Sequence, residues 1–399
     1  MTGLSRMPVR GPLGPFADGF AAHLAEQGHS RRSVQGHLQR VGHLSRWMAA
    51  EGLEVAQLTP PTVERFLAER RRLGYAVMIS PRGSRPLLGY LEGLGVLQVE
   101  EVVRTPAQLL LDDFRCYLLN ERGLQASTAS LYVDAARLFI EERSDPLSDD
   151  LARLGATEVT AFVLRQSRRR SAKSTSSVIC ALRALLGFLH VRGQSPRSLV
   201  SAVPSVSSRG RSLPRGLDAS QVQLLVESCD RAGASGRRDL AILKLLLRLG
   251  LRAGEVARLD LDDVDWRAGE IVVVGKGPRL ERLPLPRDVG EAIVAYVRED
   301  RPRVSCRRLF LRSVAPLAGL SSAGVTAIVA RAGARAGLTP LGAHRLRHTA
   351  ATDMLRAGAS LPEIGQVLRH RRLQTTAVYA RVDRDRLRTL ALAWPEVRS

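Results

Sequence analysis

The 399-residue sequence is poor in several residue types on which common classes of protein depend. Its four cysteines (Cys116, Cys180, Cys229 and Cys306) lie far apart and form no CxxC pair. This spacing excludes a disulfide framework or a zinc finger, and predicts free thiols in a reducing compartment. Aromatic residues make up only 4% of the chain, so the cores must be packed mainly with Leu, Val and Ala. Such cores suit helices better than sheets.

Two further absences narrow the function. The N-terminal sequence MTGLSRMPVRGPLGPF lacks the apolar stretch of a signal peptide, and no uninterrupted apolar run of about 18 residues occurs. We therefore expect a cytoplasmic protein with no membrane partner. The chain also lacks a GxxxxGK[ST] phosphate loop and an acidic cluster spaced to hold magnesium. No cofactor and no metal are predicted.

Lysine is the scarcest charged residue, although the chain as a whole is strongly basic. The sequence has 57 arginines and only 3 lysines, and its formal net charge is +21. A GC-rich genome would favour arginine codons and explain part of this excess. The acidic residues number only 39, however, so a real basic surplus remains. Its natural partner is a polyanion, and double-stranded DNA is the first candidate.

The length predicts two or three domains. Apolar residues recur at helical spacing through the N-terminal half, and two stretches of it share a pattern. The sequence Leu185–Leu189 is similar to Leu87–Leu91, and further similar pairs of segments lie upstream at nearly the same offset. This repeat predicts two copies of one small helical domain. The predicted domains are residues 1–101 (first copy), 105–200 (second copy), 201–216 (a Ser, Pro, Gly and Arg-rich linker) and 217–399 (a catalytic domain).

A basic cluster precedes a helix in the second copy. Arg168, Arg169, Arg170 and Lys173 lie beside serines and a predicted helix start, where backbone amides could also bind a phosphate. The cluster is therefore a candidate DNA-binding site. A solvated charged loop is the alternative.

The C-terminal region contains side chains suited to phosphate chemistry. His344, Arg347 and His348 are followed by His370 and then, nine residues later, by Tyr379. They offer a fixed cation and hydrogen-bond donors, imidazoles that move protons near neutral pH, and a hydroxyl nucleophile. His344 and His348 lie four residues apart, a spacing that also occurs in zinc sites. An arginine follows His344 where a zinc protease has glutamate, however, and no third ligand is evident.

Two upstream motifs complete this set. Arg252 and Glu255 follow a buried helix, so that the arginine could emerge into a cleft while the glutamate orients a neighbouring cation. A surface arginine with a partner one turn away is the alternative. Lys276 lies at the Gly-rich tip of a predicted hairpin between residues 270 and 285. A lysine there is usually only solvated, but unlike arginine it can give up its proton.

In their order and spacing these residues resemble the active site of the tyrosine recombinases, the phage integrase family. The family pattern is H-x-L-R-H-T, a helix, L-G-H, and a tyrosine nine residues later. One position departs from it, because Arg369 stands where the glycine is usual. The loss alters backbone freedom at a turn but removes no reacting group. The matching residues are His344, Leu346, Arg347, His348, Thr349, Leu368, His370 and Tyr379.

The resemblance covers roughly the last 180 residues and implies both fold and partners. Together with the internal repeat, it predicts a mainly α fold, with two small helical (SAM-like) DNA-clamp domains and a C-terminal α+β catalytic domain bearing a small antiparallel sheet. The family usually has one clamp domain, and the copy adjacent to the catalytic domain is favoured here. A tetramer on two DNA sites is expected, with companion recombinases as candidate partners. The tail around Leu387 to Trp394 would form a helix exchanged between protomers.

The resemblance also implies a role for each residue. Tyr379 would attack the scissile phosphate and form a 3′-phosphotyrosyl bond. Arg252, Arg347 and His370 would stabilise the phosphoryl oxygens, and Glu255 and His348 would support these groups. Lys276 would be the general acid, and His344 would assist proton transfer from the tyrosine.

Three other functions would account for some of the same sequence features. A type IB topoisomerase has much the same active-site groups but works alone. A non-catalytic DNA-binding protein could keep the charge, and a helical scaffold could keep the repeats, but neither needs the active-site set. Among recombinases, the sequence leaves open phage integration, transposon movement, cassette capture and dimer resolution.

Overall fold

The structure of the chain is a computed structural model. Helices predominate in it, and the described strands form one small sheet, as the mainly α prediction requires. The chain divides into two compact units, one of Met1–Val99 with Leu213–Ser399 and one of Glu100–Ser212. The residues that the structure describes are 9–97, 104–143, 146–205, 216–230, 233, 235–275 and 280–369.

The N-terminal segment is a small bundle of four α-helices. Phe20 and Leu24 are buried in its core, as their spacing predicts, together with Met48 from the next helix. That helix begins at Arg31, because Ser30 is its N-cap and its hydroxyl accepts the N–H of Ser33 at 3.2 Å. The helices are α1 (Ala17–Glu26), α2 (Arg31–Ala50), α3 (Pro60–Arg72) and α4 (Arg85–Gly93).

The unit Glu100–Ser212 is also helical. Where the N-terminal segment has only a 3-10 turn at Val55–Gln57, this unit has a short helix, Leu147–Arg153. The idea that the two segments are copies of one domain stays a prediction. The helices are α5 (Pro106–Cys116, continued by a π-helical turn at Tyr117–Glu121), α6 (Ala126–Ile140), α7 (Leu147–Arg153), α8 (Ala156–Arg169) and α9 (Ala172–Val191).

Among the described helices, α9 alone has the length and apolar composition to cross a membrane. Its sequence gives no uninterrupted apolar run, because Lys173 and Arg183 fall within it. Half of the apolar stretch is buried inside the structure. Leu182, Leu185 and Phe188 are buried in the core of the unit, so α9 is its central core helix.

The C-terminal segment combines helices with a three-stranded antiparallel sheet in the order β1-β2-β3. The predicted hairpin is present, with Ile271 opposite Leu283, but the first strand has only two residues and was not predicted. The elements are α10 (Ala219–Glu227), α11 (Gly236–Arg248), α12 (Ala253–Arg258), β1 (Val264–Asp265), β2 (Glu270–Val274), β3 (Leu280–Pro284), α13 (Arg287–Ala295), α14 (Ser322–Arg335), α15 (Ala343–Arg356) and α16 (Leu361–Val367).

Helix α11 is the central element of this segment. Residues Leu240 to Leu247 are buried on nearly every side except at Lys244, and the helix packs against both α13 and α15. The chain leaves α11 through the buried residues Leu249 and Leu251. This buried exit fixes the position of Arg252, which follows directly.

Candidate active site

Arg252 is the N-cap of α12, and Glu255 holds it there. The backbone N–H of Arg252 donates to Glu255 Oε2 at 2.8 Å, and its Nη1 donates to Oε1 at 2.6 Å. The Glu255 side chain is only 2% exposed, whereas that of Arg252 is 38% exposed. The glutamate therefore fixes the arginine from inside, while the arginine side chain stays partly exposed.

Arg347 lies on α15 and is buried. Its Nη1 donates to the carbonyl of Gly250, and its Nη2 donates to the carbonyl of Leu368. Gly250 has a φ of +57°, and a Cβ built on it would lie 2.4 Å from Leu368 Cδ2. A residue with a Cβ would be strained at this turn, where the α11 exit, α15 and the end of α16 meet.

The two arginines converge on consecutive residues. Arg252 Nη2 donates to the carbonyl of Arg369 at 3.3 Å, next to the Leu368 carbonyl that accepts from Arg347. The two arginines lie far apart in the sequence, yet both contact the last two described residues before position 370. The fold thus brings together the two cations that the sequence selected.

Arg369 contributes an ion pair that the sequence did not predict. Its Nη2 lies 2.8 Å from Glu255 Oε2, and both side chains are 2% exposed. Burial alone would raise the pKa of Glu255, but the Arg369 charge and the hydrogen bonds and charge of Arg252 outweigh it and lower that pKa. Glu255 is therefore ionised at neutral pH and is shared by two guanidinium groups. The sequence did contain a signal for this ion pair, because an arginine occupies a turn position where the family pattern has glycine.

The two α15 histidines lie together, in different surroundings. His344 is exposed and His348 is partly buried, with ring centroids 4.4 Å apart and planes at 72°. Burial, and then the charges of His344 and Arg347, lower the pKa of His348 from 6.5 to about 4. His348 is therefore neutral at physiological pH, which suits a supporting group rather than a proton carrier. Among the residues that the structure describes, no group of three or more His, Cys, Asp or Glu side chains is arranged to hold a metal.

Several predicted residues lie elsewhere. Lys276, His370, Tyr379 and the tail around Leu387 to Trp394 fall outside the described residues. The predicted DNA-binding residues lie in the other unit, at the corner between α8 and α9, and all four are exposed. Ser171 caps α9 there by accepting the N–H of Ser174 at 3.3 Å. We call this group the basic corner; its members are Arg168, Arg169, Arg170 and Lys173.

Comparison with known proteins identifies the class of enzyme. The family model described as "Phage integrase family" matches residues 215–386, and the model "Phage integrase, N-terminal SAM-like domain" matches residues 17–79. The integrase/recombinase-type protein y4rA of Sinorhizobium fredii is 39% identical over 402 residues, which cover 98% of this chain and 97% of that protein. This chain belongs to the tyrosine recombinase family.

A second relative and two solved structures agree with this membership. Tyrosine recombinase XerD of Mycobacterium tuberculosis is 31% identical over 311 residues, covering 73% of this chain and 98% of the relative. A structure of XerH recombinase bound to palindromic difH substrate has a TM-score of 0.55 at 17% identity, and the match covers 96% of this chain and 98% of that one. A lambda integrase dimer bound to a COC′ core site also has a TM-score of 0.55, at 18% identity, with 73% of this chain and 99% of that chain covered. The predicted fold class is thereby confirmed.

Membership in the tyrosine recombinase family makes this chain an enzyme of DNA strand exchange, as the sequence predicted. The two solved neighbours are themselves recombinases bound to DNA. The SAM-like match falls on the N-terminal segment, whereas the sequence favoured residues 105–200 as the clamp. The recombinase therefore has a SAM-like match in its N-terminal segment, which is farther in sequence from the candidate active site than residues 105–200 are.

Proposed function

We propose that this recombinase cuts and rejoins DNA through a covalent 3′-phosphotyrosyl intermediate. The Tyr379 oxygen attacks the scissile phosphorus, a new P–O bond to tyrosine forms, and the bond to the 5′-oxygen breaks. His344 takes the tyrosine proton, and Lys276 gives a proton to the 5′-oxygen, which leaves as a hydroxyl group. A 5′-hydroxyl from a partner duplex then reverses the step and joins the exchanged strands.

The observation that carries this proposal is the convergence of Arg252 and Arg347 on the carbonyls of residues 368 and 369. Negative charge on the non-bridging phosphoryl oxygens must be stabilised as the tyrosine attacks, and fixed guanidinium groups are suited to it. Both arginines are held by backbone carbonyls, and Glu255 holds one of them further. Little reorganisation is then needed when the phosphate binds. His370, next along the chain, is the third proposed donor.

The proposed chemistry requires no cofactor. The phosphotyrosyl bond replaces a phosphodiester bond of similar energy, so neither ATP nor an added nucleophile is consumed. Charge neutralisation, nucleophile activation and leaving-group protonation are each assigned to a side chain. Lys276 suits the last role because a lysine can release its proton, whereas arginine holds its proton above a pKa of about 12.

We further propose that the DNA is held by both helical segments. The SAM-like match supports residues 1–101, and the exposed basic corner supports residues 105–200. Residues 201–216 would link them to the catalytic domain, 217–399. Four protomers would act on two DNA sites in the cytoplasm, with companion recombinases as candidate partners. The names of several relatives, such as transposon integrase and integrase/recombinase, support a role in a mobile element.

The test is covalent capture of DNA. A duplex bearing a random region is incubated with the full-length protein, captured molecules are sequenced, and nicked suicide duplexes are built from the selected site. The wild-type protein should form an adduct that survives denaturation, and Tyr379→Phe should bind the same duplex without forming it.

Peptide mapping of the adduct separates the proposed nucleophile from another tyrosine. Tyr296 is the natural comparison, because it is only 1% exposed and its hydroxyl accepts the N–H of Leu311 at 3.2 Å in the core. An adduct on Tyr296, or one that persists in Tyr379→Phe, would refute the assignment.

A further inference from the structure

Arg369 adopts a backbone conformation that disfavours every residue with a Cβ. Its φ is +57°, and among the described residues only Met78 shares a positive φ without being glycine. Glycine is the residue that this turn favours, and it is also the residue in the family pattern. An arginine here is informative because its side chain must supply a compensating interaction.

The Arg369 guanidinium is buried and paired. Its Nη2 lies 2.8 Å from Glu255 Oε2, its Nη1 donates to the Val367 carbonyl at 3.0 Å, and its Nε lies 4.0 Å from Glu281 Oε2. Glu281 is on β3, in the hairpin that leads to the proposed general acid. A buried cation with these partners is a fixed element of the site rather than a surface charge.

Glu255 connects Arg369 to Arg252. The same Oε2 that faces Arg369 accepts the backbone N–H of Arg252, and Oε1 accepts its Nη1. Arg369 also acts directly, because its carbonyl accepts Arg252 Nη2 at 3.3 Å. The Glu255 carboxylate thus lies between two guanidinium groups, and Arg369 has a second, more distant carboxylate partner in Glu281 at 4.0 Å. The more exposed cation is Arg252, which is the one placed to meet a phosphate.

We propose that Arg369 is a positioning residue: it neutralises Glu255, so that Glu255 orients Arg252 without consuming the charge that Arg252 offers to the scissile phosphate. This role rests on the proposed function. Without the Arg369 cation, Glu255 would face Arg252 alone and form a full ion pair with it. The attraction of Arg252 for a phosphoryl oxygen would then fall, although the arginine would still be present.

The test uses full-length variants on the captured nicked duplex, with DNA affinity measured by fluorescence anisotropy and cleavage measured as single-turnover adduct formation at saturating enzyme. Arg369→Gly suits the backbone and removes the cation. It should cleave about 10-fold to 100-fold more slowly, by analogy with the loss of a group that orients a metal-binding side chain. Arg369→Lys should retain more activity than Arg369→Gly, because an ammonium still neutralises the carboxylate. Arg287→Gly, the same substitution at a side chain that is 93% exposed, is the matched control and should cleave at the wild-type rate.

The decisive variant combines Arg369→Gly with Glu255→Gln. Removing the carboxylate charge releases Arg252, so the double variant should cleave several-fold faster than Arg369→Gly alone. A purely structural role predicts the opposite, because a second change in the same buried group would slow cleavage further. Wild-type cleavage by Arg369→Gly, or no gain in the double variant, would overturn the proposal.

Two controls keep these outcomes separate. If the wild-type protein forms no adduct, the proposed function fails; if it forms one and the double variant shows no gain, only the role of Arg369 fails. Should circular dichroism show that Arg369→Gly does not fold, the same comparison is made with Arg369→Gln, alone and with Glu255→Gln. A gain in that pair supports the proposal, and its absence refutes it.

Discussion

Replacing Glu255 with glutamine should destabilise the C-terminal segment far more than a typical loss of an ion pair. The Glu255 and Arg369 side chains are both 2% exposed, so the substitution leaves a buried guanidinium with only the more distant, partly exposed carboxylate of Glu281 at 4.0 Å. Breaking a buried pair from one side costs about 3–5 kcal/mol. The glutamine oxygen can still accept one hydrogen bond, so the lower end, about 3 kcal/mol, applies.

The change is measured as the shift in the thermal transition of that segment. For 150–250 residues each kcal/mol lowers the Tm by about 2–4 °C, so Glu255→Gln should lower it by about 6–12 °C. Glu291→Gln is the matched control, because the side chains of Glu291 and its partner Arg287 are 63% and 93% exposed. That surface pair contributes about 0.3–0.5 kcal/mol, and its loss should shift the Tm by about 1–2 °C. Equal shifts in the two variants would show that the buried network contributes no more than a surface pair.

The same reasoning gives a pH dependence with a definite sign. The folded-state pKa of Glu255 is lowered, so its contribution is complete above its unfolded pKa of about 4.3 and is lost as the pH falls through the folded value. The Tm difference between wild type and Glu255→Gln should therefore be largest near neutral pH and shrink in acid. A difference that grows on acidification would contradict the assignment of Glu255 as an ionised, charge-paired group.

Three further predictions concern other parts of the enzyme. Lys276→Ala should cleave about 10²-fold to 10⁴-fold more slowly than the wild type. Its cleavage rate should recover on a substrate with sulfur in place of the 5′-bridging oxygen, because a thiolate leaves without a proton. The rate of Arg252→Ala should not recover on that substrate, and equal rescue of both variants would refute the general-acid role. Changing all four residues of the basic corner to glutamine should reduce the slope of log affinity against log salt by about 0.9 for each phosphate that the corner neutralises, measured by anisotropy, whereas an unchanged slope would mean that the corner is only solvated. Because the folded pKa of His348 is lowered from 6.5 to about 4, the wild-type protein should lose stability as the pH falls across that interval. His348→Gln should lack this component of the loss, and acid unfolding that runs parallel in both proteins would exclude the histidine as its source.

Much of the fold could be predicted because its signals are local. Apolar spacing marks helices such as α1, and the Gly-rich turn marks the hairpin of β2 and β3. Strand β1 escaped prediction because two residues cannot display an alternating pattern. One of the three lysines, Lys244, has a structural contact: its Nζ donates to the Asp288 carbonyl at 2.9 Å.

In the candidate site, too, some features could be predicted from the sequence and others could not. The sequence could select Arg252, Glu255 and Arg347, because motif order and spacing identify them without knowledge of their contacts. It could not predict that Arg369 pairs with Glu255 or that the pKa of His348 is so low, because both depend on burial and on neighbours distant in the chain. The arginine in place of glycine at position 369 indicated that this turn differs from the family pattern. Only the packing shows that the arginine side chain forms a buried ion pair with Glu255.

The convergence of the two arginines on residues 368 and 369 also bears on when the enzyme can become active during its synthesis. Arg252 and the carbonyl that orients it are 117 residues apart, and Arg347 depends on the adjacent carbonyl. At about 5–20 residues per second, a ribosome needs roughly 6–23 seconds to make that interval. During that interval the two N-terminal helical segments have already left the ribosome and can present their basic surface to DNA. Neither arginine has yet reached its final orientation. DNA binding can therefore precede cleavage competence in the life of each molecule, and a prematurely terminated chain would occupy DNA without cutting it.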